Sequence, residues 1–225
     1  MTILATSRMM FRSTHLSRAL SARCANTTLP IAASTFITTT PFQTSHRCAS
    51  STCTATQVSF SQESIDTSNK QHETYVSIQQ TADGRGWGLF AMQDIPQGTR
   101  VFRGRSMATT ETKDSHTVQI DWNRHVMMDL PAILVNHSCN SNLGIRCNDE
   151  GAYDFFALAD IPKQSELLWD YETAEYEIKN FKCSCGAQNC RGKLKGFQFN
   201  GSAVVKLYGE EFISPYLLQE RKSQL

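Results

Sequence analysis

With 225 residues and a formal net charge of +1, the chain has room for one ordinary domain plus extensions, and no apolar run approaches the roughly 20 residues of a membrane helix. The charge is uneven: residues 1–60 hold five Arg (8, 12, 18, 23 and 47) and no Lys, Asp or Glu, leaving 17 basic against 21 acidic side chains in the remainder. That mildly acidic body lacks the basic footprint of a nucleic-acid binder and suits a basic peptide better.

Residues 1–62 are rich in Ser and Thr as well as Arg. An Arg-rich, Ser-rich, acid-free leader is the compositional mark of an organellar transit peptide, against the alternative of a plain polar tail. The expected destination is mitochondrial, with the plastid as alternative and the nucleus if the leader is no transit peptide. Three of the eight Cys (24, 48, 53) fall in this leader. Cys139, Cys147, Cys183, Cys185 and Cys190 remain, an odd and tightly clustered set that points to metal rather than disulfides.

From Glu63 to His72 the chain is polar and reads as a linker, with order expected from Tyr75. Strands are expected at Tyr75–Ile78, Thr99–Phe102, Thr117–Asp121, His125–Met128, Leu143–Cys147 and Tyr153–Ala159, punctuated by Ile-Pro turns at Ile95-Pro96 and Ile161-Pro162. Residues 105–116 read as a loop and Thr173–Lys179 as a short helix. Tyr208, Phe212, Tyr216 and Leu217 offer packing surface near the C-terminus. Many short strands and few helical periods predict a mostly β domain.

Chemistry concentrates in four stretches. Gly84-Arg85-Gly86-Trp87-Gly88 lets the backbone turn tightly and approach a ligand, although G-x-G-x-G is no dinucleotide fingerprint. Asn136-His137-Ser138-Cys139 places polar groups behind an apolar entry, where they must be bonded or bound to something. Trp169-Asp170-Tyr171 ends the strand expected from Glu166. Cys183, Cys185 and Cys190 can wrap one tetrahedral ion, best zinc. Either Cys139 or Cys147 could be the fourth ligand, and spacing does not choose. His116 and His125 have no supporting pattern.

In this order, G-x-G-x-G with Leu-Phe-Ala, Asn-His-Ser-Cys, Glu-Leu-x-Trp-Asp-Tyr and C-x-C-x4-C-Arg-Gly resemble the SET-domain protein-lysine methyltransferases with a post-SET zinc module. The resemblance implies a SET fold, an assembly of small β-sheets with a pseudoknot, at residues 73–172. It implies the zinc module at 179–195 and a C-terminal extension at 196–225. By the same resemblance, Arg85, Gly86, Trp87, Asn136 and His137 bind S-adenosyl-L-methionine, Tyr171 is catalytic, and Trp169 and Phe102 line the lysine channel. Cys139, Cys183, Cys185 and Cys190 would hold Zn, leaving Cys147 structural. The implied activity is S-adenosylmethionine-dependent methylation of lysine in a histone or non-histone protein, with no direct nucleic-acid partner. Phe102-Arg103-Gly104 stands where the family has Tyr-x-Gly, which favours the alternative of a SET-derived scaffold with little or no catalysis.

Overall fold

A computed structural model describes residues 60–114 and 116–223; the expected leader falls almost wholly outside them. The first element is a helix, α1 (Gln62–Gln71), where a linker was expected. Ser61 caps it by accepting the Ser64 N–H at 3.2 Å, Glu63 sits in its first turn and Lys70 in its last, the charge order that the helix dipole favours. A single apolar side chain, Ile65, ties it to the core at 1 % exposure. Asn69 grips the following strand by accepting the Ile78 N–H at 2.6 Å. With only Ile65 to bury, no hydrophobic period announces this helix.

The strands follow as β1 (Val76–Gln80), β2 (Trp87–Ala91), β3 (Arg100–Arg103), β4 (Ser106–Thr110), β5 (Val118–Asp121), β6 (Arg124–Met128), β7 (Asn136–His137), β8 (Leu143–Cys147), β9 (Tyr153–Ala157) and β10 (Glu166–Trp169). The expected mostly β architecture of small sheets is present. A seven-stranded sheet runs β1-β2-β10-β8-β9-β3, with β7 also paired to β10, beside a three-stranded sheet β4-β6-β5. Strand β4 occupies the predicted loop at 105–116: it is half-exposed or exposed along its length and pairs only with β6, so it shows no alternation of apolar and polar residues. The two Ile-Pro turns meet, Ile95 and Ile161 exchanging main-chain hydrogen bonds at 2.8 Å each way.

Two pairings position the site. Strand β7 lies parallel to β10, with Asn136 opposite Leu168 and His137 opposite Trp169, and the Ser138 N–H continues the contact to the Trp169 carbonyl at 3.0 Å. The Asn-His and Asp-Tyr segments are thereby held side by side, although about thirty residues of chain separate them. Beneath them a core of Leu89, Leu143, Ile145, Tyr153, Phe155 and Leu167 is essentially inaccessible.

The helix expected at Thr173–Lys179 is instead a single 3-10 turn, Tyr171–Thr173. Asp170 caps it by accepting the Glu172 N–H at 3.2 Å. Burial of Glu172 and Thr173 then fixes the chain in an irregular path that a solvent-facing helix could not follow. A two-stranded ribbon, β11 (Phe181–Lys182) with β12 (Lys193–Leu194), frames the cysteine cluster.

Beyond it, α2 (Phe197–Tyr208) and α3 (Pro215–Ser223) build a small core of Phe197, Val204, Ile213, Tyr216 and Leu217. Gly196 starts α2 at φ 101°, and a Cβ there would lie 2.3 Å from the Tyr176 carbonyl oxygen. Main chain has little room to yield, so Gly196→Ala should cost about 3 kcal/mol of stability. The urea unfolding midpoint measures this, and an unchanged midpoint would show that the contact relaxes freely.

Candidate functional site

Three elements meet at the glycine loop. Gly84 and Gly86 take φ of 77° and 95°, and a Cβ on either would meet nothing within 4 Å. Glycine is required there for backbone shape, and the space beside it is open. Behind the loop, Asn136 Nδ2 donates to the Trp87 carbonyl at 3.1 Å and to Glu166 Oε1 at 3.0 Å. Arg85 Nη2 donates to the other carboxylate oxygen of Glu166 at 2.7 Å. Glu166 therefore fastens the loop to β7, a role that its place in the Glu-Leu-x-Trp-Asp-Tyr motif did not reveal.

Gly88 makes this packing possible. A Cβ would fall 2.8 Å from Glu166 Oε1 and 3.0 Å from Asn136 Nδ2. Gly88→Ala should therefore push this pair apart and weaken ligand binding at the loop roughly tenfold, measured by calorimetry with S-adenosylmethionine; wild-type affinity in the variant would detach the loop from that ligand.

His137 is buried, with both ring nitrogens engaged. Nδ1 accepts the Tyr171 N–H at 3.3 Å, which places the ring proton on Nε2, 3.4 Å from Cys139 Sγ. Burial, helped by the Arg191 charge, lowers the His137 pKa to about 3, so the imidazole is neutral at ordinary pH. Its ring thus links the tyrosine segment to the cysteine cluster.

Tyr171 donates its hydroxyl to the Val135 carbonyl at 3.0 Å, and burial pushes its pKa well above the usual tyrosine range. The Tyr171 ring packs edge-on against Trp169 and Phe181, with centroids 5.3 and 5.9 Å away. All three line a cavity of about 890 Å³. Two buried polar atoms in its wall, Trp169 Nε1 and His125 Nδ1, have no hydrogen-bond partner among the described residues, as expected of a cavity that receives a polar guest or water.

His125 and Phe181 were not legible as site residues. The first stands in an ordinary strand pattern, and the second is only the aromatic residue before Cys183. Phe102 is not in the cavity wall: it is 5 % exposed and stacked on Phe155 at 4.5 Å between ring centroids, because β3 and β9 pair and turn both rings into the core.

Cys139, Cys183, Cys185 and Cys190 bring their sulfurs within 4.8 Å of one another. A tetrahedron with Zn–S bonds near 2.3 Å sets its sulfurs about 3.8 Å apart. Cys183 Sγ lies 3.8 Å from Cys139 Sγ and 3.7 Å from Cys190 Sγ, so these residues fit a tetrahedral ion. Main-chain N–H groups of Cys139, Arg191 and Gly192 point at Cys185, Cys139 and Cys190 sulfurs at 3.4–3.5 Å, the arrangement that thiolates favour. Burial pushes the Cys139 thiol up, so ionising it needs a cation. Cys147 sits on β8 opposite Tyr153, outside this cluster.

A buried ionic network locks the cluster to the tyrosine. Asp170 and Glu172 are both 0 % exposed. Arg191 Nη2 bonds both Asp170 oxygens at 2.6 and 2.7 Å, and Arg191 Nη1 lies 3.2 Å from Glu172. Burial works against the Arg191 charge, but the two carboxylates outweigh it and raise its pKa. Glu172 also accepts from the main chain of Lys195 and Gly196 and from Asn200 on α2. From α2, too, Tyr208 donates to the Cys139 carbonyl and accepts the Ser141 N–H, both at 3.2 Å.

A sequence profile described as SET domain matches residues 86–172. The chain is 28 % identical over 158 residues to the histone-lysine N-methyltransferase SUVR4 of Arabidopsis thaliana, a match covering 52 % of this chain and 32 % of that protein. It is 29 % identical over 147 residues to the histone-lysine N-methyltransferase SETD2 of Homo sapiens, covering 56 % and 6 %. The chain thus spans less than a third of the length of these relatives. Among solved structures, the crystal structure of KRYPTONITE in complex with mCHG DNA and SAH superposes with a TM-score of 0.44 at 25 % identity, over 52 % of this chain and 28 % of that one.

Proposed function

We propose, from the SET-domain profile that matches residues 86–172, that the chain is a SET-family protein-lysine N-methyltransferase using S-adenosylmethionine. The observation that carries the reading is the placement of Tyr171, its hydroxyl held on the Val135 carbonyl and its ring between Trp169 and Phe181 in the cavity wall. The relatives' names support a lysine substrate; whether it is a histone is part of the proposal.

In this reading Arg85, Gly86, Trp87 and Asn136 hold the cofactor at the open side of the loop. His137 belongs to the same pocket and sets the distance between Tyr171 and Cys139. Bound there, S-adenosylmethionine supplies an electrophilic methyl group on a sulfonium sulfur. Zinc on Cys139, Cys183, Cys185 and Cys190 is structural and keeps Phe181 against Tyr171.

Lysine methylation demands a neutral amine. With a reference pKa near 10.4, deprotonation at pH 7 costs about 4–5 kcal/mol. The aromatic walls of the cavity disfavour the ammonium by desolvation. Desolvation keeps the half-buried Tyr171 a neutral phenol, so it acts as an orienting hydrogen-bond partner and not as a base. Because its proton is committed to Val135, its oxygen lone pairs are the part offered to an amine N–H. The rest is alignment, which a rigid site supplies by removing orientational freedom.

Full-length protein with zinc, labelled S-adenosylmethionine and lysine-bearing protein extract should yield label on lysine, identified by mass spectrometry. Cofactor binding with no transfer to any lysine would instead favour the scaffold reading, for which the phenyl of Phe102 in place of a tyrosine is the supporting observation.

The proposed organisation keeps residues 73–172 as the SET domain, 179–195 as the zinc module and 196–225 as the extension. Residues 1–62 are proposed as a transit leader directing the protein to mitochondria. Among the described residues no helix is long and apolar enough to cross a membrane. Imaging the tagged full chain checks the address, and nuclear accumulation would refute it.

A further inference from the structure

In the cavity that Tyr171 lines, the chain places a lysine of its own. Lys113, which follows β4, ion-pairs through Nζ with Glu175 Oε2 at 2.5 Å and donates to the Glu177 carbonyl at 3.1 Å. All three residues line the cavity. The second oxygen of Glu175 is committed elsewhere, accepting the Gln119 N–H at 2.9 Å. Glu175 Oε2 and the Glu177 carbonyl thus form a two-acceptor seat for a cation inside the cavity.

The two partners depend on each other unequally. The Glu175 side chain is 7 % exposed, that of Lys113 40 %. A carboxylate so far from water needs a positive partner, whereas an ammonium still in contact with solvent gains little from the pair. The seat therefore requires a cation, but not this one.

We propose that the Glu175–Glu177 seat is the subsite for a second basic side chain of the protein substrate, and that Lys113 is an internal stand-in displaced when that side chain arrives. This rests on the reading that the cavity receives a lysine-bearing peptide. The preferred substrate then carries an Arg or Lys near its target lysine, and Lys113 competes with it. Its occupancy lowers apparent affinity by the fraction of molecules in which the seat is taken. An Arg guanidinium, whose planar fork of donors can reach carboxylate and carbonyl together, fits the seat at least as well as an ammonium.

The test uses the full chain and two series of lysine peptides, one with a single Arg at varied distance from the lysine and one with neutral citrulline in its place. Binding is measured by calorimetry, independently of methyl transfer. Wild-type protein should prefer the Arg series, and Lys113→Ala should bind it roughly tenfold more tightly while leaving the citrulline series unchanged. Glu175→Gln should erase the preference. Because Glu175 is buried and its variant could misfold, the Lys113 variant decides the matter alone. Equal binding of the two series by Lys113→Ala, no binding of either, or a parallel loss in both would overturn the subsite. Methyl transfer without the Arg preference would sink the subsite alone, and the preference without methyl transfer on any lysine would sink the enzymatic reading alone.

Discussion

Tyr171→Phe should lower kcat for lysine methylation by roughly 100-fold or more while changing KM for the peptide little. The substitution keeps the ring, and with it the packing against Trp169 and Phe181, so the cavity retains its shape. What is lost is one oxygen, the group proposed to orient the amine. Removing it also strips the Val135 carbonyl of its donor, a cost of about 1 kcal/mol in stability that a thermal melt separates from the catalytic effect. Since burial already keeps the wild-type phenol protonated, the pH–rate profile should keep its shape in the variant, its rise with pH following the substrate amine. An unchanged kcat would remove Tyr171 from the reaction.

Zinc removal should be nearly as damaging, by a different route. Structural zinc in small modules contributes roughly 10–16 kcal/mol of apparent binding free energy to folding, comparable to a typical domain's whole margin. Only Cys139 among the four ligands comes from the segment that also bears Asn136 and His137, so the ion would join that segment to β11 and β12. Chelation, or Cys139→Ser, should abolish stoichiometric zinc, open residues 181–194 to protease and reduce methyl transfer at least about 100-fold, because Phe181 and Arg191 leave their places around Tyr171 and Asp170. Cys147→Ser serves as the control and should retain both metal and activity. Cys139→Ser protein with one equivalent of zinc and full turnover would break the proposed link.

Much of this architecture was legible because each feature had a local chemical cause. Strand β8 occupies the predicted residues Leu143–Cys147, and the cysteine spacing alone points to the cluster of sulfurs able to hold a metal. The unread parts depend on partners distant in sequence. Helix α1 is held by one buried Ile65, and β4 by backbone pairing that leaves no apolar signature. Glu172 looks like any surface acid until four donors from residues 191–200 surround it. Phe102 was placed in the channel by its position in a motif, whereas register with β9 turns it into the core. Spacing alone left Cys139 and Cys147 equivalent; the parallel pairing of β7 with β10 is what carries the first of them to the cluster.

The embrace of Glu172 and Cys139 by α2 has a consequence for how the protein is made. Synthesis delivers Tyr171 long before Asn200 and Tyr208, which donate to the Glu172 carboxylate and the Cys139 carbonyl. Until those residues leave the ribosome, a buried acid and one of the four clustered cysteines stand without their supports, and N-terminal-first folding during translation cannot complete the site. The site therefore stays incomplete until α2 has been made, so that its supports arrive well after the residues they hold.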